Sequence, residues 1–212
     1  MGTARSVEIT LEQTLPAVSG EAAFVNELRA GSQDAFAYLL QVYQNPVFNL
    51  VSHIVENAAD ASDVLQEVFV KVFKGIRNFN GESSLKTWIY RIAVHEASNH
   101  RRGWIRRHWR EPVSVDDRES PSAAVASRAA TAERSPYQVF EQAEREEIVQ
   151  RALASLAQPY RAVVVLREIE GLPYEEIAQV LGLAEGTVKS RLLRGRELLR
   201  RKLAGYVGKV YV

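Results

Sequence analysis

Residues 174–194 read Tyr174-Glu-Glu-Ile-Ala-Gln-Val-Leu-Gly-Leu-Ala-Glu-Gly-Thr-Val-Lys-Ser-Arg-Leu-Leu-Arg194, and this stretch decides the fold. Ile177, Ala178 and Leu181 recur at helical spacing and turn one face of a short helix inward. Gly182 can take the left-handed conformation that a sharp helix-to-helix turn needs. Ala178 is small where two helices must approach closely. Val188 and Leu192, four residues apart, complete the inner face of a second helix that starts near Glu185. The pattern is a helix-turn-helix; an ordinary helical hairpin with a basic exterior is the plainer alternative.

That packing leaves Lys189, Ser190, Leu193 and Arg194 on the outer side of the second helix. Lys and Arg can hydrogen-bond guanine edges, and an apolar side chain can meet a thymine methyl, so this face suits a major groove. Thr187 stands at the start of the same helix. Arg191, Arg196, Arg200 and Arg201 fit phosphates, which position a helix without reading sequence.

Working outward, helical periodicity fills both ends of the chain, and no strand-like alternation appears. Phe24, Val25 and Leu28 precede Gly31, a helix stop, and Ser32 suits an N-cap. Phe36, Leu39, Leu40 and Tyr43 follow, and Asn45-Pro46 reads as a break restarting into Val47, Leu50, Val51, Ile54 and Val55. The next helix, about 59–76, has a broad apolar surface of Val64, Leu65, Val68, Phe69, Val72, Phe73 and Ile76. Asp60, Asp63, Gln66, Glu67, Lys71 and Lys74 oppose it. The turn-rich residues 78–84 separate it from a helix over about 85–102, capped by Ser84 and directing Leu85, Trp88, Ile89, Ile92 and Ala93 to a core. The expected fold is all-α: a helical domain over 21–110, a Ser/Ala/Pro-rich linker over 111–139, and a helix-turn-helix domain over 140–204. Tails of 1–20 and 205–212 flank them. A linker of this length can reach about 90–100 Å, so the two domains need not touch.

Composition narrows the function. The chain has 212 residues, 25% of them charged, and no cysteine, which excludes disulfides, thiolate zinc sites and a cysteine nucleophile. No apolar run is long enough to span a membrane and the first twenty residues hold no compact secretory core, so a cytosolic protein is expected. His53, His95, His100 and His108 form no metal-binding or catalytic spacing, and no Gly-rich phosphate cradle appears. Neither enzymatic chemistry nor a cofactor is indicated.

The net charge of +1 conceals a separation. Residues 91–110 and 185–202 each carry +5, leaving −9 on the rest of the chain. Two polyanion-facing surfaces explain this, as would two solvated helix faces. In the first segment, aromatics alternate with basic residues, the combination that single-stranded nucleic acid needs for stacking and phosphate attraction. Trp88 keeps step with Leu85 and Ile92 and so reads first as core. Tyr90 stands off that stripe and is the better stacking candidate.

Three motifs now stand in order: Asp60-Ala-Ser-Asp-Val-Leu-Gln-Glu-Val-Phe69, Phe79-Asn-Gly-Glu-Ser-Ser-Leu-Lys-Thr-Trp-Ile-Tyr-Arg-Ile-Ala93, and the helix-turn-helix. Together they resemble the bacterial RNA polymerase sigma factors of the extracytoplasmic-function (ECF) class of the sigma-70 family. Residues 21–102 resemble region 2 and 140–203 region 4, with no folded region 3 between. The resemblance implies that Asp63, Gln66 and Glu67 bind the clamp helices of the polymerase β′ subunit, a face that charge alone reads as solvated. It implies that Asn78, Phe79, Asn80 and Ser83 belong to a loop capturing a flipped −10 base. Lys86, Trp88, Tyr90, Arg91, His95, Asn99 and Arg102 then lie on the segment that melts and reads the −10 element. Thr187, Lys189, Ser190, Arg191, Leu193, Arg194 and Arg196 would read the −35 element. Further implied partners are the β flap of core polymerase, promoter DNA and an anti-sigma protein, with no membrane contact by the chain itself. The linker acids Asp116, Asp117 and Glu119 would lie along the path later taken by RNA. A free-standing helix-turn-helix regulator is the rival; it leaves the second basic segment and the Gln66-Glu67 face without a role.

Overall fold

The computed structural model describes residues 18–55, 58–108 and 136–210. Most of the expected N-terminal tail and linker, including Asp116, Asp117 and Glu119, lies outside the described residues. Within them there are eight α-helices and no strand: α1 (Val18–Arg29), α2 (Gln33–Ile54), α3 (Ala58–Gly75), α4 (Leu85–His108), α5 (Pro136–Ala154), α6 (Gln158–Val164), α7 (Tyr174–Leu181) and α8 (Glu185–Val210). A 3₁₀ turn, Ile76–Asn78, follows α3, and a π-helical turn, Val165–Ile169, follows α6.

Local chemistry sets the helix ends. Gly31 ends the first helix at φ 82°, a conformation open to glycine. Ser32 Oγ then accepts from Ala35 N at 3.2 Å to start α2. Ser84 Oγ accepts from Thr87 N at 3.1 Å, capping α4. A second acceptor is supplied from far away in sequence, since Glu21 Oε1 takes the Leu85 N–H at 2.8 Å.

The break expected at Pro46 is absent: α2 runs through it without interruption. An interior proline removes the bond to the carbonyl four residues back and costs about 3 kcal/mol. Continuing the helix keeps Tyr43, Val47, Leu50, Val51 and Ile54 on one buried face. Each large apolar side chain fully buried contributes roughly 1.5–3 kcal/mol, so burial outweighs the lost bond.

Ala61, Val64, Val68 and Val72 of α3, and Leu85, Ile89, Ala93 and Ala97 of α4, bury against that face. Phe73, on the apolar surface expected for α3, is 60% exposed, its ring centroid 4.7 Å from that of Phe36. It falls at the edge of the apolar stripe, where period alone does not separate core from rim. At the other end, α8 continues through Gly205 to Val210, because extending an existing helix adds a bond for each residue fixed.

The two helical units are in contact. α5, α6, α7 and the π-helical turn pack onto α2 and α4, and one hydrophobic core continues across the seam. Arg161 of α6, 1% exposed, anchors it: its guanidinium donates to Ile54 O at 2.7 Å and also to Ala154 O. Those carbonyls close the C-terminal ends of α2 and α5, where helix carbonyls lack partners and positive charge is favoured.

Candidate nucleic-acid interface

In the helix-turn-helix, Gly182 adopts φ 63° and its N–H bonds back to Ala178 O. Ile177, Val180, Val188 and Leu192 are buried, with Ala178 and Leu181 packed beside them. Val180 joins this core although it was not among the expected inner positions. The close approach that sets the angle of α8 lies further along, at Gly195, where a Cβ would come within 2.7 Å of Val164 Cγ2.

This packing turns Lys189, Ser190, Leu193 and Arg194 to solvent. Leu193 is 72% exposed between them. Lys189 Nζ lies 3.4 Å from Glu185 and 5.7 Å from the Tyr174 ring centroid. Ser190 Oγ donates to the carbonyl of half-buried Thr187. Arg196 pairs with Glu168 at 2.7 Å. Arg191 points elsewhere, lining a cavity between the two units.

The second basic surface is built on α4 and the turn before it. Asn78 and Asn80 are exposed and Ser83 half-buried; Asn80 Oδ1 accepts from Glu82 N. Phe79 is buried, its ring 5.2 Å from that of half-buried Trp88, and its carbonyl takes a bond from Arg29. Both aromatics therefore brace the turn from beneath. Along α4, Arg91, His95 and Arg102 are exposed and Asn99 half-buried. Arg102 donates to Asn99 Oδ1 at 2.5 Å, and His95 Nδ1 lies 2.8 Å from Glu96 Oε1.

Tyr90, the expected stacking residue, is only 2% exposed. Its hydroxyl donates to Glu170 Oε2 at 2.9 Å, and Lys86 Nζ sits 5.5 Å from its ring centroid. Burial and the Glu170 carboxylate push the hydroxyl above its ordinary range, so it stays a donor. Standing off the α4 stripe places Tyr90 on a second buried face, the one covered by the C-terminal unit.

On α3, Asp63, Gln66 and Glu67 are exposed and line one shallow groove with Val70, Lys71 and Lys74. Val70 and Phe73 add exposed apolar area to the same helix. Lys71 also reaches back to Glu96 of α4, at 2.5 Å. Burial disfavours the Glu96 carboxylate, but hydrogen bonds with Lys71 and His95 outweigh it and hold the carboxyl below its ordinary value. Among the described residues no group of His, Asp and Glu is arranged to hold a metal, and no helix is long and apolar enough to cross a membrane.

Sequence periodicity missed the polar groups of the seam. Arg91 donates to Gln179 O at 2.9 Å and Arg101 to Ala154 O at 3.3 Å. Gln158 bonds Ser98 Oγ, and Glu170 receives Tyr90. The one available signal was Arg161, a charge at the edge of the apolar run Ala162–Leu166.

Family models described as Sigma-70 region 2 and Sigma-70, region 4 match residues 39–111 and 146–199. The ECF RNA polymerase sigma-E factor of Haemophilus influenzae is 35% identical over 181 residues, covering 85% of this chain and 94% of that protein. The ECF RNA polymerase sigma-E factor of Escherichia coli K12 is 37% identical over 180 residues, covering 84% and 92%. The fold is shared with the sigma factor RpoE of Bartonella quintana, solved in complex with the anti-sigma factor NepR: TM-score 0.61, 23% identity, 80% of this chain and 96% of that one. With two region models in the order of its motifs and full-length relatives above 30% identity, the chain belongs to the ECF RNA polymerase sigma factors.

Proposed function

We propose that this sigma factor divides promoter recognition between α8 and α4, with the outer face of α3 holding core polymerase. It is an initiation factor, not an enzyme. The observation that carries the division is the exposure of Lys189, Ser190, Leu193 and Arg194 on one side of α8, set apart in sequence from a second basic, amide-rich surface on α4. Lys189 and Arg194 read base edges of −35 duplex, Leu193 meets an apolar base group, and Thr187 and Arg196 fix the helix on the backbone.

Asn78, Asn80 and Ser83 receive a −10 base removed from the stack, over buried Phe79 and half-buried Trp88. Lys86, Arg91, His95, Asn99 and Arg102 engage the separated strand, while the buried Tyr90 holds α4 against Glu170. Unstacking costs a few kcal/mol, offset by pocket contacts and by tethering both readers to one polymerase. Asp63, Gln66 and Glu67 contact the β′ clamp helices, and the helix-turn-helix unit meets the β flap. The protein works in the cytoplasm, where polymerase and promoter DNA meet. Its likeness to a sigma factor solved with an anti-sigma protein supports control by such an inhibitor.

The test is promoter selection from a random pool by core polymerase loaded with the chain or its variants. Lys189→Ala with Arg194→Ala is expected to relax selection at upstream positions only. Asn80→Ala with Arg91→Ala is expected to relax it at downstream positions only. Both pairs blurring the same positions would overturn the division.

A further inference from the structure

We infer that Glu21 and Arg29 of α1 are positioning residues for base capture: α1 is a splint that clamps both ends of the turn between residues 79 and 85 and fixes the shape in which that turn receives a base. The inference rests on Asn78, Asn80 and Ser83 being the groups that receive it. Glu21, Val25, Leu28 and Arg29 stand at i, i+4, i+7 and i+8, one stripe of a helix. Val25 and Leu28 are buried in the core. The stripe therefore faces inward, with a carboxylate at one end and a guanidinium at the other, both half-buried. Charged groups drawn toward a core are costly unless hydrogen-bonded. The bonds they make reach the main chain of the turn: Glu21 Oε1 accepts from Leu85 N at 2.8 Å, and Arg29 Nη2 donates to Phe79 O.

Neither bond is one that the turn makes for itself. Leu85 is the first residue of α4, where backbone N–H groups have no intrahelical acceptor. Ser84 Oγ serves Thr87 N, so the Leu85 N–H falls to Glu21, whose negative charge is also favoured at a helix N-terminus. At the other end the Phe79 ring is buried beside Trp88 and its N–H bonds Ile76 O at 3.2 Å. Arg29 then fixes its carbonyl. Between the clamps Asn80 and Glu82 are exposed, Gly81 takes φ 76°, and Asn80 Oδ1 accepts from Glu82 N at 3.2 Å. That bond leaves the Asn80 amide hydrogens for a base edge. The two anchors lie eight residues apart on α1, about 12 Å along its axis, whereas the step from 79 to 85 could extend to about 20 Å. A helix does not stretch, so the turn is held bowed. Holding a receptor in its bound shape beforehand removes the ordering cost from binding, on top of which unstacking the base already costs a few kcal/mol.

The experiment uses the full chain loaded on core polymerase, with a fluorescent single strand carrying the −10 element that the wild-type holoenzyme selects. A second strand lacks the base at the position where Asn80→Ala relaxes selection most. The ratio of the two affinities measures base capture. Glu21→Ala with Arg29→Met is expected to lower that ratio about threefold or more, the abasic strand binding within about twofold of wild type. Each single variant, removing one clamp, should show part of the loss with unchanged helical content by circular dichroism. Glu21→Gln keeps an oxygen acceptor and Arg29→Lys keeps a donor, so that pair should retain most of the discrimination. In the free chain, amide exchange at Leu85 should quicken in Glu21→Ala and stay slow in Glu21→Gln. A loss shared equally by both strands, equal losses in the disruptive and conservative pairs, or a Leu85 amide as fast in wild type as in Glu21→Ala overturns the splint. Asn80→Ala separates the two ideas. If it relaxes a −10 position while the α1 variants do not, the turn captures a base without positioning by α1. If it relaxes none, the base-capture reading falls and the inference with it.

Discussion

Gly195 of α8 and Val164 of α6 touch where the two helices cross, with room for a hydrogen but not a methyl. A Cβ on residue 195 would stand 2.7 Å from Val164 Cγ2 and 3.5 Å from Tyr160 Cβ. Val164 is buried and has nowhere to retreat. This single approach sets the angle at which the proposed recognition helix leaves the C-terminal unit.

Gly195→Ala is therefore expected to destabilise the fold. Overpacking costs about 1–3 kcal/mol, against about 1 kcal/mol gained from alanine's helix propensity. Adding Val164→Ala should restore part of the loss, a positive coupling readable in a double-mutant cycle by chemical denaturation. Strict additivity would show that the crossing is looser than the structure describes.

Glu96 gives a pH dependence. Its carboxyl is held below the ordinary value of 4.5 in the folded chain, facing Lys71 at 2.5 Å and His95 at 2.8 Å. The unfolded chain binds the proton at higher pH than the folded one. The contribution is therefore fully present above about pH 5.5 and lost as pH falls through the folded value. Glu96→Gln should cost about 1 kcal/mol at pH 7, a modest figure because Lys71 is half exposed. That difference should begin to shrink as pH falls through the ordinary carboxylate value of 4.5 and vanish below the lower folded value. A gap between wild type and variant that is constant from pH 7 to pH 3.5 would rule this out.

Lys189→Ala with Arg194→Ala should weaken −35 duplex binding by about 1–3 kcal/mol for each lost base contact, while affinity for core polymerase stays within twofold. Fluorescence titration of the loaded and free chain separates the two. Equal losses in both assays would mean that this face of α8 also docks on polymerase.

Gln66→Ala with Glu67→Lys acts on the opposite assay. These side chains are exposed on α3, so circular dichroism and thermal unfolding should hardly change. Affinity for core polymerase should fall at least tenfold, with −35 duplex binding by the chain retained. Unchanged core affinity would remove α3 from the polymerase interface.

The sequence made the helix-turn-helix legible because its constraints are local. Gly182, the inward Ile177 and Leu181, and the Val188–Leu192 pair each report on neighbours within one or two turns. Ser32 and Ser84 were legible as caps for the same reason. Pro46 misled because a local penalty was read without the long buried face of α2 that overrides it. Tyr90 was read as solvent-facing because one helix stripe was assumed. α4 has two buried faces, and the second is covered by residues some eighty positions away. Gly195 and Glu21 likewise act on distant segments, and no period in the sequence marks such partners.

The central claim is that this chain gives core RNA polymerase a promoter preference. Its most direct test is transcription by core polymerase from a pool of random DNA fragments, with and without the chain. The account predicts stable association with core and new start sites, each preceded by a shared pair of upstream sequence elements. Selective binding to duplex DNA without association with core, and no new start sites, would contradict it.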